Sequence, residues 1–450
     1  MGFLNTSYKL LPIWAQNSAV SLFSFRNTRL KYGRVFQDML VQLGRNETRP
    51  LPELLECQRM ALHRMLTYAK QHVPYYRALA CPVNDLSAWP ILEKSTVKEV
   101  PLSFLSDEFH PRNLITLKTS GTTGTPLQVK ISREYHQIEM AFRWRHKAWA
   151  GVPYLSRSVY LSGHPVVPSE QNHPPYWRID SAEKRMLCSS YHLTQANLPR
   201  YLEALVAYDP VFIHGYPSSL YVLSQFLLSE NITSLRPRAV FTASETLMDY
   251  QRCCIEAALG TRVFNWYGNT EMTCNLIQCR EGSLHYRMDY GVLEVLEDGS
   301  MVCTGLNNLA MPFIRYRIGD RVTMGNGSCT CGCPFPVISR IEGRTEDSIV
   351  TPDGRLVGRL DHLLKDVAHV REAQLRQTSL SELVIRVVPT EKFTSRDEQT
   401  ILQEARSRLG QSIGIRFDYV KHIPRGPGGK FQFVVSRLPD AVRKTTIASS

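Results

Sequence analysis

The residue types that could do chemistry fall in a few short stretches. "TSGTTGTPL" (119–127) sets Ser120, Gly121, Thr122, Thr123 and Gly124 between an apolar pair and an alternating segment. Such a run is either a surface turn or a loop that wraps phosphate oxygens with backbone N–H groups and hydroxyls. No Lys follows its last glycine, so it is not the phosphate loop of ATPases and GTPases. Three further stretches follow in order: "WYGNTE" (266–271), "IRYRIGD" (314–320) and "IEGRTED" (341–347). "PRGPGGKFQF" (424–433) ends the series and holds one Lys, Lys430, after a glycine-rich turn and before a strand-like segment.

A second constellation is "CREGSLH" (279–285) with "CTCGC" (329–333). Cys279, His285, Cys329 and Cys331 supply four soft or borderline ligands in two knuckles, which suits a tetrahedral structural Zn²⁺; the other reading is free thiols. Cys333 could replace one of the four. Cys57 and the pair Cys253-Cys254 read as ordinary helix cysteines.

These residues need elements to position them. From about residue 111 to 340, short β-branched or aromatic runs alternate with helical ones, as in "SVYLSG" (158–163) and "RAVFTASE" (238–245). Strands followed by helices predict an α/β fold with a mostly parallel sheet covered on both faces. After residue 343 the texture changes. "SELVIRVVP", the amphipathic "RDEQTILQEARSRLG" and "RFDYVKHIP" predict a small α+β unit, so the chain divides into 1–343 and 344–450.

The whole chain agrees. At 450 residues more than one domain is expected. A net charge of +12 points to an anionic partner. The basic residues are scattered, in "RNTRLKYGR", "RWRHK" (143–147) and "DAVRKTT". That favours phosphate-bearing small molecules over a nucleic-acid module with a basic stripe. Eleven cysteines, an odd number, fit a reducing cytoplasm. No apolar run of about 18 residues predicts a transmembrane helix. "LLPIWAQNSAVSLFSF" (10–25) reads as an amphipathic helix that packs on the protein or lies peripherally on the inner membrane surface. "MGFLNT" matches the myristoylation pattern only formally.

The ordered motifs, with "YAKQHVPYYRAL" and "IHGYPSSL" (213–220), resemble the adenylate-forming superfamily of acyl-CoA synthetases, luciferases and peptide-synthetase adenylation domains. More closely the chain looks like the phenylacetate–CoA ligase branch, and within it like homologues found with capsule and surface-polysaccharide genes. The resemblance implies a large N-terminal domain and a mobile C-terminal lid. It implies attack of a carboxylate on the α-phosphate of ATP, then transfer of the acyl group, by default to coenzyme A.

The resemblance also assigns roles. Ser120, Gly121, Thr122, Thr123 and Gly124 would hold the β- and γ-phosphates. Thr270 would touch the α-phosphate, and Glu271 would bind Mg²⁺. Ala243, Ser244, Glu245, Tyr267 and Gly268 would line the nucleotide pocket. Asp320 would accept the ribose hydroxyls, with Arg344 near the ribose or phosphates. Lys430 would bridge the substrate carboxylate and the α-phosphate. His214, Tyr216, Ser218 and Trp266 would flank the acyl group. Relatives usually carry "GRxDD" where this chain has "GRTED", so Glu346 stands at the expected hinge Asp. Some relatives carry a similar Cys/His cluster, and dimers are common among them. In polysaccharide pathways the acceptor could instead be an amine or hydroxyl of a sugar nucleotide or amino acid, or the chain could be a non-catalytic scaffold.

Overall fold

The computed structural model describes residues 6–119, 127–162, 166–168, 170–344, 349–353, 356–357, 360–364, 367, 369–426 and 431–438. Its helices are α1 (Thr6–Lys9), α2 (Ile13–Lys31), α3 (Arg34–Asn46), α4 (Leu51–His72), α5 (Pro74–Arg77), α6 (Lys94–Glu99), α7 (Arg133–Trp149), α8 (Leu198–Tyr208), α9 (Pro217–Ser229), α10 (Asp249–Leu259) and α11 (Ser395–Leu409). A hairpin, β1 (Ile115–Lys118) and β2 (Gln128–Ile131), brackets residues 119–127. Its base closes where Thr119 and Leu127 exchange backbone and hydroxyl hydrogen bonds of 3.0 Å.

Twelve strands form the main sheet: β3 (Ser158–Ser162), β4 (Trp177–Asp180), β5 (Arg185–Ser189), β6 (Phe212–Gly215), β7 (Ala239–Ala243), β8 (Val263–Gly268), β9 (Asn275–Gln278), β10 (Leu284–Tyr286), β11 (Gly291–Val295), β12 (Ser300–Gly305), β13 (Tyr316–Met324) and β14 (Val337–Arg344). Their order is β11-β12-β13-β14-β10-β9-β8-β7-β6-β3-β5-β4. The mostly parallel sheet expected from the alternating runs describes β5-β3-β6-β7-β8; the remaining pairings are antiparallel. The reason is connection length. A parallel crossover needs a dozen or more residues, whereas tight turns at Gly282 and Gly299, both at positive φ, join β9 to β10 and β11 to β12.

Both faces of the parallel part are covered. Val159, Leu161, Ile213, Val240 and Val263 pack against α8, α9 and α10. Phe212, Phe241 and Phe264 on the opposite face pack against α3 and α7. Alternation along each strand makes these two faces distinct. Ser132 caps α7, its hydroxyl accepting from the Tyr135 N–H at 3.1 Å, just after the hairpin.

A short ribbon, β15 (Ile349–Val350) and β16 (Leu356–Val357), precedes a four-stranded sheet of β17 (Val370–Ser379), β18 (Glu382–Pro389), β19 (Gly414–Tyr419) and β20 (Val434–Ser436). Helix α11 buries Ile401, Ala405 and Leu409, spaced i, i+4, i+8, against that sheet. Every buried residue of this core lies between Ile349 and Val434.

The 10–25 segment forms most of α2. Val20 is buried with Tyr8 and Leu187, while Leu10, Trp14, Leu22 and Phe25 remain exposed. Among the described residues no helix is long and apolar enough to cross a membrane.

Candidate active site

Open α/β sheets bind ligands beyond the carboxyl ends of their parallel strands. Here those ends are Ser189, Ser162, Gly215, Ala243 and Gly268. Past Gly268 the chain turns tightly. The Asn269 side-chain oxygen accepts from the N–H groups of Thr273 (3.1 Å) and Cys274 (3.2 Å), and its amide donates to the Thr273 hydroxyl at 2.7 Å. The turn places Thr270 half-buried and tucks Glu271 inward, where the Tyr316 hydroxyl donates to its Oε1 at 2.9 Å. Gly291 and Gly305 face each other behind it. A Cβ on Gly291 would meet the Thr273 carbonyl at 2.1 Å, and one on Gly305 the Met272 carbonyl at 2.7 Å, so only glycine allows the approach.

Asp320, in β13, accepts a 2.5 Å hydrogen bond from the Tyr267 hydroxyl. Burial, then the Asp320 charge, pushes the Tyr267 phenol well up, so Tyr267 is a firm donor to a carboxylate. Arg344 stands opposite Asp320 in the β13–β14 register. Its side chain, and the residues Ser120, Gly121, Thr122, Thr123, Gly124, Glu346 and Lys430, lie outside the described residues.

After β7, Ala243 is buried and Ser244 takes a left-handed φ of 72°. Glu245 then turns back to the body and is fully engaged. Its Oε2 accepts from the Ser218 N–H at 3.0 Å, and its Oε1 from the Ser218 hydroxyl at 3.1 Å and the Phe431 N–H at 2.6 Å. Burial raises its pKa, and the Phe431 and Ser218 hydrogen bonds oppose that rise. Ser218, expected beside the acyl group, thus spends its hydroxyl on Glu245. Phe431 directly follows Lys430, and Arg425 lies 4.9 Å over its ring.

His214, Tyr216 and Trp266 share the sheet face covered by α7. The His214 ring lies 5.1 Å from Tyr160, its partner across β3–β6. Tyr216 is buried at the strand end. Trp266 sits 5.6 Å from His146 of α7.

Sequence reasoning missed Tyr316, whose link to Glu271 spans 45 positions. It also counted "RWRHK" only in the scattered basic excess, whereas Arg145, His146 and Lys147 are buried. Three consecutive residues point to different sides of a helix, so no periodicity in the sequence signals their burial.

Cys279, His285, Cys329 and Cys331 converge, all four ligand atoms within 4.8 Å of one another. The Cys279 and Cys329 sulfurs are 3.7 Å apart, and the Cys331 sulfur is 3.4 Å from His285 Nε2. Tetrahedral zinc with bonds of about 2.3 Å to sulfur needs sulfurs about 3.8 Å apart. The Phe335 carbonyl lies 2.8 Å from His285 Nδ1, so a proton there leaves Nε2 free to ligate. The N–H groups of Cys331 and Cys333 point at the Cys329 and Cys331 sulfurs, at 3.5 and 3.3 Å. Cys333 turns its own thiol away, to Arg287 at 3.8 Å.

A sheet whose parallel part leads into the turn of Glu271 and whose antiparallel part carries Asp320, each acid held by a tyrosine, followed by a small α+β unit, has the fold of the adenylate-forming ligases. The solved 2-hydroxyisobutyryl-CoA ligase, in its postadenylation state with R3-HIB-AMP, superposes with a TM-score of 0.68 at 18% identity, covering 90% of this chain and 94% of that one. Residues 349–437 match the model of the CapK C-terminal domain. Protein CapK of Staphylococcus aureus is 25% identical over 97% of this chain and 100% of its own length. A phenylacetate–coenzyme A ligase of Thermus thermophilus is 22% identical over 86% of this chain and 98% of its own. The chain thus has the fold of the adenylate-forming ligases and is similar over most of its length to CapK and to a phenylacetate–coenzyme A ligase.

Proposed function

We propose that this protein activates a carboxylic acid with ATP and passes the acyl group to coenzyme A. The observation that carries the reading is the Phe431–Glu245 hydrogen bond. It ties the backbone just past Lys430 to the end of β7, beside β8, which leads into the Glu271 turn and carries the Tyr267 that holds Asp320. In the first step a carboxylate oxygen attacks the α-phosphorus and the bond to pyrophosphate breaks, leaving an acyl-adenylate. In the second, the thiolate of coenzyme A attacks the acyl carbon and AMP leaves.

In this reading Lys430 holds the two reacting anions together, the kind of preorganised charge that dominates such catalysis. The 120–124 loop and Thr270 hold phosphate oxygens. Glu271 would hold Mg²⁺ with the oxygen lone pairs that Tyr316 leaves, and the ion would supply positive charge to the phosphates. Asp320 accepts the ribose hydroxyls beside its bond from Tyr267. The unit from 344 onward acts as a lid, turning near Glu346 between the two steps.

The Cys279, His285, Cys329 and Cys331 cluster holds a structural zinc, with Cys333 outside the set. The sulfur spacing and the orientation of His285 support this. Metal analysis of purified protein should find about one zinc per chain, and chelation should lower the melting temperature. Far less zinc, or a melting temperature indifferent to chelator, removes the site.

The function is tested by AMP release from ATP over a panel of carboxylic acids, each with no acceptor, with coenzyme A and with hydroxylamine. Acceleration by coenzyme A with one acid class supports thioester formation. AMP trapped only by hydroxylamine makes an amine or hydroxyl, on a sugar nucleotide or amino acid, the acceptor. ATP bound with no AMP from any acid removes the activity.

A further inference from the structure

The face of the sheet beneath α7 is packed but not closed at every side chain. Tyr160, His214 and Trp266 sit on interior strands under a helix, yet each keeps part of its surface open. Arg143, on the same side of α7, leaves 50% of its side chain open. Tyr160, His214, Trp266 and Arg143, all partly open on one face, mark a recess between helix and sheet.

Arg143 acts on Tyr160, the third residue of β3, whereas Lys147, one turn further along α7, lies 5.6 Å over Phe212, the first residue of β6. The Lys147 ammonium also stands 5.1 Å over Trp144 and 5.8 Å over Phe241. It is 7% exposed and, among the described residues, forms no ion pair. Glu183, the carboxylate that acts on it, is already taken by Lys31 at 2.5 Å and Arg185 at 3.3 Å, and Glu139 is taken by Arg143 at 3.0 Å. One buried cation therefore lacks a counter-charge. Burial, with Arg143 and Arg185, pulls its pKa down to about 7, and Glu183 only partly opposes them. Burying a charge without a partner is costly, and an anion delivered from outside would offset that cost.

Resting on the acid-ligase reading, we propose that the acid this protein activates carries a second anionic group, which enters this recess and is held by Arg143 and Lys147. The reacting carboxylate stays at the strand edge by Glu271, and the distal one reaches down between α7 and the Tyr160–His214 row. The open side of Arg143 offers planar donors that match a carboxylate, and Lys147 adds a point charge below it. The substrate class is a dicarboxylate or an acidic sugar, not a fatty or simple aryl acid.

The test is acid-dependent ATP–pyrophosphate exchange with the dicarboxylates from succinate to suberate, and with glucuronate, against the monocarboxylates from butyrate to octanoate. Wild-type protein should favour a doubly charged acid, and Lys147→Met, which keeps the side chain's bulk, should raise its KM by about 10- to 100-fold. The same variant should erase the preference over the matched monocarboxylate. A wild-type preference for monocarboxylates, or an unchanged ratio in Lys147→Met, overturns the proposal. The wild-type panel decides alone if the variant does not fold. Exchange with monocarboxylates only would leave the ligase reading standing while the proposal falls. Failure to bind ATP would remove the ligase reading itself.

Discussion

Glu271 and Asp320 are each held by a tyrosine hydroxyl, at 2.9 and 2.5 Å. A neutral donor fixes a carboxylate without neutralising it, so the charge stays available for a metal or for ribose hydroxyls. The two acids are legible in the sequence because each sits in a short local motif. Their tyrosines are only partly so: Tyr267 lies in a motif but has a different partner from the expected one, and Tyr316 becomes visible only when β13 is brought beside the 269–274 turn. Glu271→Gln keeps an oxygen for Tyr316 but cannot ligate Mg²⁺ as an anion. It should slow acid-dependent AMP formation by roughly 100-fold or more with the melting temperature unchanged. Near-normal rates at saturating Mg²⁺ would remove the metal role.

At the scale of elements, α3, α7 and the β10–β11 connection are joined by one buried polar knot. Asp289 accepts from Arg145 Nη1 at 2.7 Å and from Asn46 at 3.1 Å, with Arg287 at 3.6 Å; Arg287 also stacks 3.5 Å over Phe335. Burial works against the Asp289 charge, but Arg145 and Arg287 outweigh it and hold the pKa at about 2. The folded pKa lies below the usual value of about 3.9. This group's stabilisation is therefore present above about pH 4 and is lost as pH falls toward 2. Asp289→Asn would leave two buried guanidinium groups short of a counter-charge and should cost about 3–5 kcal/mol. A thermal melt at neutral pH should show the loss, and the variant should lose less further stability than wild type between pH 4 and 2. Equal acid sensitivity would place the titrating group elsewhere. None of this was legible: "RWRHK" counts only as part of the basic excess until α7 is turned so that Arg145 and Lys147 face inward on different sides. The helix itself, with its Ser132 cap, follows from local sequence.

Across the whole molecule, the small unit joins the large one through Glu245. The change of texture after residue 343 was readable because strands and helices announce themselves locally, whereas a contact 186 residues apart leaves no local trace. Sequence reasoning put Glu245 with the nucleotide, but its two oxygens are spent on Ser218 and on the Phe431 N–H. A carboxylate so engaged positions the segment that carries Lys430 and has little capacity left for adenine. If the lid turns between steps, Glu245 contributes only to the step that uses this arrangement. Glu245→Ala should slow acid-dependent ATP–pyrophosphate exchange by about 10- to 100-fold, the loss of charge-assisted hydrogen bonds. Transfer of the acyl group from supplied acyl-adenylate to coenzyme A should proceed at the wild-type rate. An equal loss in both half-reactions, with weaker AMP binding, would instead return Glu245 to the nucleotide pocket.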